Sequence, residues 1–258
     1  MKITVITAVY NRVNTIAQAV QSVDDQTYDN VEHLVIDGAS TDGTLEQLSS
    51  CMNDRSVLVS EPDKGIYDAL NKGLSRATGD IVGMMHSDDF FADTRVLESV
   101  AAAFADPAID AVYGDLDYVA KDNTSRILRH WNSGEYHSSQ LSRGWMPPHP
   151  TLYLRRSVIE RWGGFDTNFQ IAADYDAILR YFGQGRIRAA YIPRVLVKMR
   201  IGGESNRSLS RIWLKTSEDY TALRRNGVGG FRTLLWKNLG KVRQFIPSSN
   251  IKAQAPPC

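Results

Sequence analysis

Apolar residues along the chain switch repeatedly between two spacings. Ile3 to Val9 forms an apolar run interrupted only by threonines, the pattern of a strand buried on both faces. Val13, Ile16, Ala17, Val20 and Val23 then recur at helical spacing, with Asn11 or Asn14 available as N-cap. Val31 to Ile36 reads as a second strand ended by Asp37-Gly38, followed by a helix over Thr44 to Cys51 and a strand over Val57 to Val59. A stripe of Ile66, Ala69, Leu70, Gly73, Leu74 and Ala77 predicts the next helix, and Ile81 to Met85 a fourth strand that runs into His86-Ser87-Asp88-Asp89. A helix over Arg95 to Ala105 follows. Beyond it Ala111 to Tyr113 and Ile127 to Trp131 read as strands, the stretch to Pro150 as loop, and Ser157 to Trp162 and Asp174 to Phe182 as helices. This alternation predicts an α/β fold, a parallel sheet joined by crossover helices.

Three of the predicted strands end in polar residues: Tyr10-Asn11, Asp37-Gly38 and Asp88-Asp89. Ligands of open α/β sheets bind beyond the carboxyl ends of the strands, so these clusters are expected to converge. Adjacent carboxylates repel, and a hard divalent cation such as Mg²⁺ or Mn²⁺ would relieve the repulsion while sharing substrate phosphate oxygens. An isolated Asp pair also starts turns and caps helices, so Asp88-Asp89 alone is a weak signal. A literal DxD, Asp115-Leu116-Asp117, is a rival, ranked second on the expectation that only one of its carboxyls reaches a common ion. No GxxxxGK[ST] or GxGxxG cradle is present, which removes the P-loop and dinucleotide readings, and no GxSxG elbow, which disfavours a hydrolase.

The chain has 258 residues, 43 % hydrophobic and 23 % charged, enough to bury a core. Thirty basic residues against 29 acidic ones exclude a protein built to coat nucleic acid. The balance is uneven: from Ser205 onward ten lysines and arginines face only Glu218 and Asp219, leaving the preceding residues net acidic. Phe231, Leu234, Leu235, Leu239, Val242, Phe245 and Ile246 recur at helical spacing among those cations, beside Trp236. Such a helix fits an anionic membrane surface as partner; the competing reading packs its apolar face on the rest of the protein. Two cysteines without CxxC spacing suggest neither a disulfide framework nor a structural zinc, and fit a cytoplasmic compartment. The first apolar run is too short for a signal-peptide core and nothing reaches membrane-span length, so a cytoplasmic protein is expected, soluble or peripheral on the inner face of the membrane.

ITVITAVYN, HLVIDGASTDGT, EPDKGIYDALNKGLSRATGDIV, MMHSDD and GGFDTNFQIAADYDAILR stand in this order. Together they make the chain resemble the family 2 glycosyltransferases of GT-A fold over roughly residues 1–205. The resemblance implies a Rossmann-like, mixed, mostly parallel sheet flanked by helices as catalytic domain 1–205, with residues 206–258 as a basic amphipathic helical tail. It implies transfer of a sugar from a nucleotide donor, UDP foremost, to the hydroxyl of a glycan or lipid-linked acceptor, with inversion and with Mn²⁺ or Mg²⁺ as cofactor. By position it puts Thr7, Val9 and Asn11 around the nucleotide, Asp37 at the base with Lys64 beside it, Asp88 at the ribose and Asp89 on the metal. Asp174 matches the general base, His149 in MPPHPT the acceptor or phosphate side, and Arg200 with Gly202 and Gly203 the loop over the diphosphate. His86 and Ala173 depart from common family residues.

A helix from Asp174 would place Tyr175, Ile178, Leu179 and Phe182 on its apolar stripe and Asp174 at the substrate end, while Asp176 would serve only the helix dipole. QLSRGW at Gln140 to Trp145 has the wrong spacing and position for a processive synthase's QxxRW, which points to single addition. Two rivals remain at this level: a sugar-phosphate nucleotidyltransferase, which should carry a glycine-rich basic loop after the first strand, and an inactive nucleotide-sugar-binding scaffold.

Overall fold

A computed structural model describes residues 1–201 and 209–243. The first half alternates as its apolar spacing predicts: β1 (Ile3–Val9), α1 (Ile16–Asp24), β2 (Val31–Asp37), α2 (Thr44–Cys51), β3 (Ser56–Ser60), α3 (Ile66–Arg76) and β4 (Ile81–Met84). β1 is buried along its whole length because both faces are covered. Ile3 and Val5 pack toward α1 and α4 (Val96–Ala103), and Ile6 and Ala8 toward α3. Burying a Val or Ile side chain contributes roughly 1.5–3 kcal/mol, so this strand anchors the sheet. Residue Thr15 precedes α1, not Asn11 or Asn14; the Asn11 side chain instead accepts the Thr41 N–H at 2.9 Å.

β3, β2, β1 and β4 pair in parallel, β1 and β2 in register from Ile3 opposite Val31 to Val9 opposite Asp37. That register sets the carboxyl ends of the two strands level. Beyond β4 the sheet continues through β8 (Tyr153–Arg155), β6 (Ala111–Val119), β9 (Ala189–Arg200) and β5 (Phe90–Phe91), with β7 (Ile127–Trp131) paired to β6. β6 and β9 are parallel, whereas β8, β5 and β7 pair antiparallel with their neighbours. The result is a mixed sheet flanked by helices. The sequence reading misses β5, β8 and β9.

α5 (Arg156–Trp162) and α6 (Ala173–Leu179) follow, the latter continued by a wider π turn over Arg180–Gln184. α7 (Leu209–Arg225), inside the expected helical tail though no stripe marked it in the sequence, and α8 (Phe231–Arg243) belong to the same packing: Ala222, Leu223 and Leu234 lie in one buried cluster with Tyr175, Leu179 and Phe182. α8 seats against the turn ending at Gly144, whose φ of +80° favours glycine. A Cβ there would stand 2.7 Å from the Lys237 Cα. The Phe245 and Ile246 positions of the predicted stripe lie outside the described residues.

Candidate active site

The parallel half of the sheet delivers its carboxyl ends to one side. Asn11 follows β1 with φ of +52°, a left-handed conformation that asparagine tolerates. Its N–H donates to Ser40 Oγ at 2.9 Å, tying the two strand ends together. Asp37 closes β2 fully buried; one carboxylate oxygen accepts the Ser40 N–H at 3.0 Å and the Ser60 hydroxyl at 2.7 Å, while the other has no partner. Gly38 follows it, with the Asp63 carboxylate close against its Cα where a Cβ would require that side chain to shift. Lys64 is exposed and its N–H donates to Asp68 at 3.0 Å. Asn11, Arg12, Thr15, Asp88, Lys121 and Arg200 line a cleft of about 210 Å³.

Two expected members are turned away from this cleft. Thr7 is wholly buried with its hydroxyl 2.9 Å from His33 Nε2, and the Val9 side chain packs with Ile16, Val20, Val35 and Leu48. Both sit in a strand covered on both faces, where side chains serve the core. Gly202 and Gly203 lie outside the described residues.

At the end of β4, Asp88 faces the cleft half-buried, while Asp89 is 1 % exposed behind it. One Asp89 oxygen accepts the Arg200 N–H at 3.1 Å and the other has no partner. Burial first, then the charge of Asp88, pushes the Asp89 carboxyl well above the usual carboxylate range, with Arg200 opposing. The Arg200 guanidinium does not reach freely into the cleft: it donates to the Asp88 carbonyl and to Gln18, and stacks 5.1 Å from the Phe90 ring. It braces the aspartate pair. An unpartnered, buried carboxylate oxygen beside a second carboxylate fits a hard divalent ion. Among the described residues no three His, Cys, Asp or Glu side chains form a metal site of their own, so such an ion would draw its remaining ligands from substrate or water.

The rival DxD is committed elsewhere. Asp115 and Asp117, two residues apart on β6, share a face, contrary to expectation, because strand side chains alternate with period two. Both approach His130, at 3.8 and 2.7 Å, and Asp115 also accepts the Ser133 N–H and the Tyr191 hydroxyl.

Asp174 stands in the first turn of α6 with 19 % of its side chain exposed. His149 Nδ1 lies 3.0 Å from one oxygen, and the Tyr67 hydroxyl 3.3 Å from the other. Burial would raise the Asp174 pKa, but the charge and hydrogen bond of His149, with positive potential from Lys215 and Lys237, hold it well below the usual carboxylate range. The His149 Nε2 faces His86 Nε2 at 2.6 Å, a separation that requires one proton between the two rings. His149 therefore has neither nitrogen open to a substrate hydroxyl. Burial and then His149 hold His86 down to about 4; two residues before Asp88 and 2.6 Å from the ring that holds Asp174, it links the end of β4 to α6. Asp176 points into the core, accepting from Asn226 at 2.8 Å and pairing with Arg180 at 3.3 Å.

The His86–His149–Asp174 chain and Tyr67 escape sequence reasoning, although each lies in or beside a quoted motif; nothing in residue order says that His86 and His149 meet.

Comparison with known proteins accords with this arrangement. The solved mannosyltransferase of Pyrobaculum calidifontis, in complex with GDP-Man and Mn²⁺, superposes with a TM-score of 0.64 at 21 % identity, over 92 % of this chain and 68 % of that one. Staphylococcus aureus TarS in complex with UDP-GlcNAc gives 0.66 at 19 % identity, over 88 % and 66 %. These likenesses establish the GT-A fold. In sequence, an uncharacterised glycosyltransferase of Mycobacterium tuberculosis is 32 % identical over 186 residues, 69 % of this chain and 68 % of the relative. A PGL/p-HBAD biosynthesis glycosyltransferase of Mycobacterium bovis is 27 % identical over 202 residues, 75 % of each. The sequence profile described as "Glycosyl transferase family 2" matches residues 4–162, more than half of the chain, and the chain belongs to that family.

Proposed function

We propose that this protein transfers a single sugar, with inversion, from a UDP-linked donor to the hydroxyl of a glycan or glycolipid acceptor, with Asp174 as general base. The observation that carries the reading is the chain from His86, two residues before Asp88, through His149 at 2.6 Å to Asp174 at 3.0 Å, which ties the end of β4 to the α6 carboxylate. Asn11 and Asp37, whose free buried oxygen is ready for a donor N–H or O–H, would take the nucleotide with Lys64 at its edge, and Asp88 the ribose. Asp89 would hold Mn²⁺ or Mg²⁺, which supplies neutralisation of the charge growing on the departing diphosphate. The relative solved with Mn²⁺ and the free Asp89 oxygen support that assignment.

In the chemical step the acceptor oxygen forms its bond to the anomeric carbon as the bond from that carbon to the diphosphate breaks. The acceptor proton passes to Asp174. Its depressed pKa keeps the carboxylate ionised but weak as a base, so proton transfer must accompany formation of the new C–O bond. His149 fixes the rotamer by holding one oxygen, leaving the oxygen on the Tyr67 side for substrate.

The M. bovis relative named for PGL/p-HBAD biosynthesis supports a glycolipid acceptor, and the exposed aromatics of α7 and α8 support work at the inner face of the cytoplasmic membrane.

A panel of UDP, GDP and dTDP sugars, each with and without Mn²⁺, tests the reading by thermal shift and turnover. UDP sugars should raise the melting point most, with Asp89→Ala abolishing the Mn²⁺-dependent part. Asp174→Asn should retain the shift while turnover falls on the order of 10²- to 10⁴-fold. Near-normal turnover by Asp174→Asn refutes the base, formation of a sugar nucleotide from a sugar phosphate supports a nucleotidyltransferase, and donor binding without any transfer supports a scaffold.

A further inference from the structure

The tail from Ser205 onward is basic, yet its two acidic residues, Glu218 and Asp219, are among its most buried side chains, at 9 % and 2 % exposure. Glu218 reaches from α7 to the segment that leads into α6. One of its oxygens accepts the Gln170 N–H at 2.8 Å, and the other accepts the N–H groups of Ile171 at 2.8 Å and Ala172 at 2.9 Å. Ala172 occupies the position before α6 and has no side chain able to cap a helix, so the capping anion comes from another element. The opposite side of the same peptides is held too. The Tyr67 hydroxyl, 2.6 Å from the Ile171 carbonyl oxygen, donates there while lying 3.3 Å from Asp174.

We propose that Glu218 is a positioning residue for Asp174, gripping the three N–H groups from which the catalytic carboxylate is hung. The inference rests on the reading of Asp174 as base. Asp219, next to Glu218, fixes α7 in place: Lys215 lies 3.2 Å and Lys237 2.9 Å from its carboxylate. The Lys237 Nζ stands 3.1 Å from the centre of the Tyr175 ring, the residue following Asp174. The same two lysines supply positive potential to Asp174. α7 and α8 thus set both the place and the charge environment of the base.

A carboxylate that merely stabilises the docking of α7 would act through stability alone. Arg225 provides the control, since it pairs α7 with Asp166 in the same loop without touching residues 170–172. Steady-state kinetics of the full chain should be measured for Glu218→Gln, Arg225→Ala and Asp174→Asn, each with its melting temperature and donor affinity. Glu218→Gln should lower kcat on the order of 10²-fold, the loss a displacement of about 1 Å can produce, with donor KM and donor thermal shift unchanged. Arg225→Ala should lower the melting temperature and leave kcat at the parent value. Parent kcat in Glu218→Gln, or kcat losses that track melting temperature in both variants, overturns the inference while leaving the base assignment standing. Normal turnover by Asp174→Asn overturns the base assignment, and this inference with it. If Glu218→Gln does not fold, Glu218→Asp carries the test: the charge withdrawn by one methylene should cost kcat and spare donor KM, and parent kcat refutes the grip.

Discussion

The buried polar side chains of this protein divide by whether every lone pair is used. His33 is fully buried on β2 between the Thr7 hydroxyl at 2.9 Å and Ser56 Oγ at 3.2 Å, and burial pushes it down to about 4 from an ordinary 6.5. Its folded-state affinity for a proton lies below that of the unfolded chain. Stability from the neutral ring is therefore complete above about pH 6.5 and is lost as pH falls toward 4, by up to roughly 3 kcal/mol. His86 adds a loss of the same sign over the same window. Melting temperature followed from pH 7.5 to 4.5 should fall more steeply for the parent than for His33→Gln; parallel curves would show that His33 does not set the slope. Thr7 belongs to this interior pair, on a strand covered on both faces. Asp37, Asp88, Asp89 and Asp174 were legible as types and positions, but Tyr67 and the histidine pair required the third dimension.

Elements in the first half were readable because their periods are clean: β1 is an apolar run broken only by Thr4 and Thr7, and α3 shows one apolar stripe with Ala69, Leu70 and Gly73 buried. The missed ones lack that regularity. β8 is three residues long, and β9 contains Pro193 and lies mostly half-buried. α7 hides its pattern because Glu218 and Asp219 are on its buried side while Trp213 is 73 % exposed, the inverse of the usual helix. The predicted apolar stripe of α8 is split in the same way: Leu234 is buried, Phe231 and Leu235 are exposed. The seat of α8 can be tested at Gly144. Gly144→Ala puts a side chain at φ +80° and against the Lys237 backbone, and should lower the unfolding free energy by about 1–3 kcal/mol in urea titration. An unchanged midpoint would mean that α8 yields at no cost.

At the scale of the molecule, no helix among the described residues is long and apolar enough to cross a membrane. Trp213, Phe231 and Trp236 are nevertheless 73, 66 and 59 % exposed on the two helices that also carry Arg224 and Arg232. Aromatic rings with flanking cations suit the headgroup layer of an anionic bilayer, where each nearby Lys or Arg contributes about 1 kcal/mol. Cosedimentation should therefore occur with vesicles containing phosphatidylglycerol and weaken with salt, and the double variant Trp213→Ala, Trp236→Ala should lose it. Equal binding to neutral vesicles, or none to either kind, would remove the membrane from the proposal.

The sharing of one buried cluster by α6, α7 and α8 has a practical corollary for anyone recombining such enzymes. Residues 4–162, the stretch matched by the family profile, supply only part of the cluster around α6; Ala222, Leu223 and Leu234 lie beyond it. A chimera joined after β9 would strip Ala222, Leu223 and Leu234 from their neighbours and put Asp174 beneath a foreign roof. An exchange of the sheet alone would thus leave Asp174 without its native cover, and the natural unit of exchange includes α7 and α8.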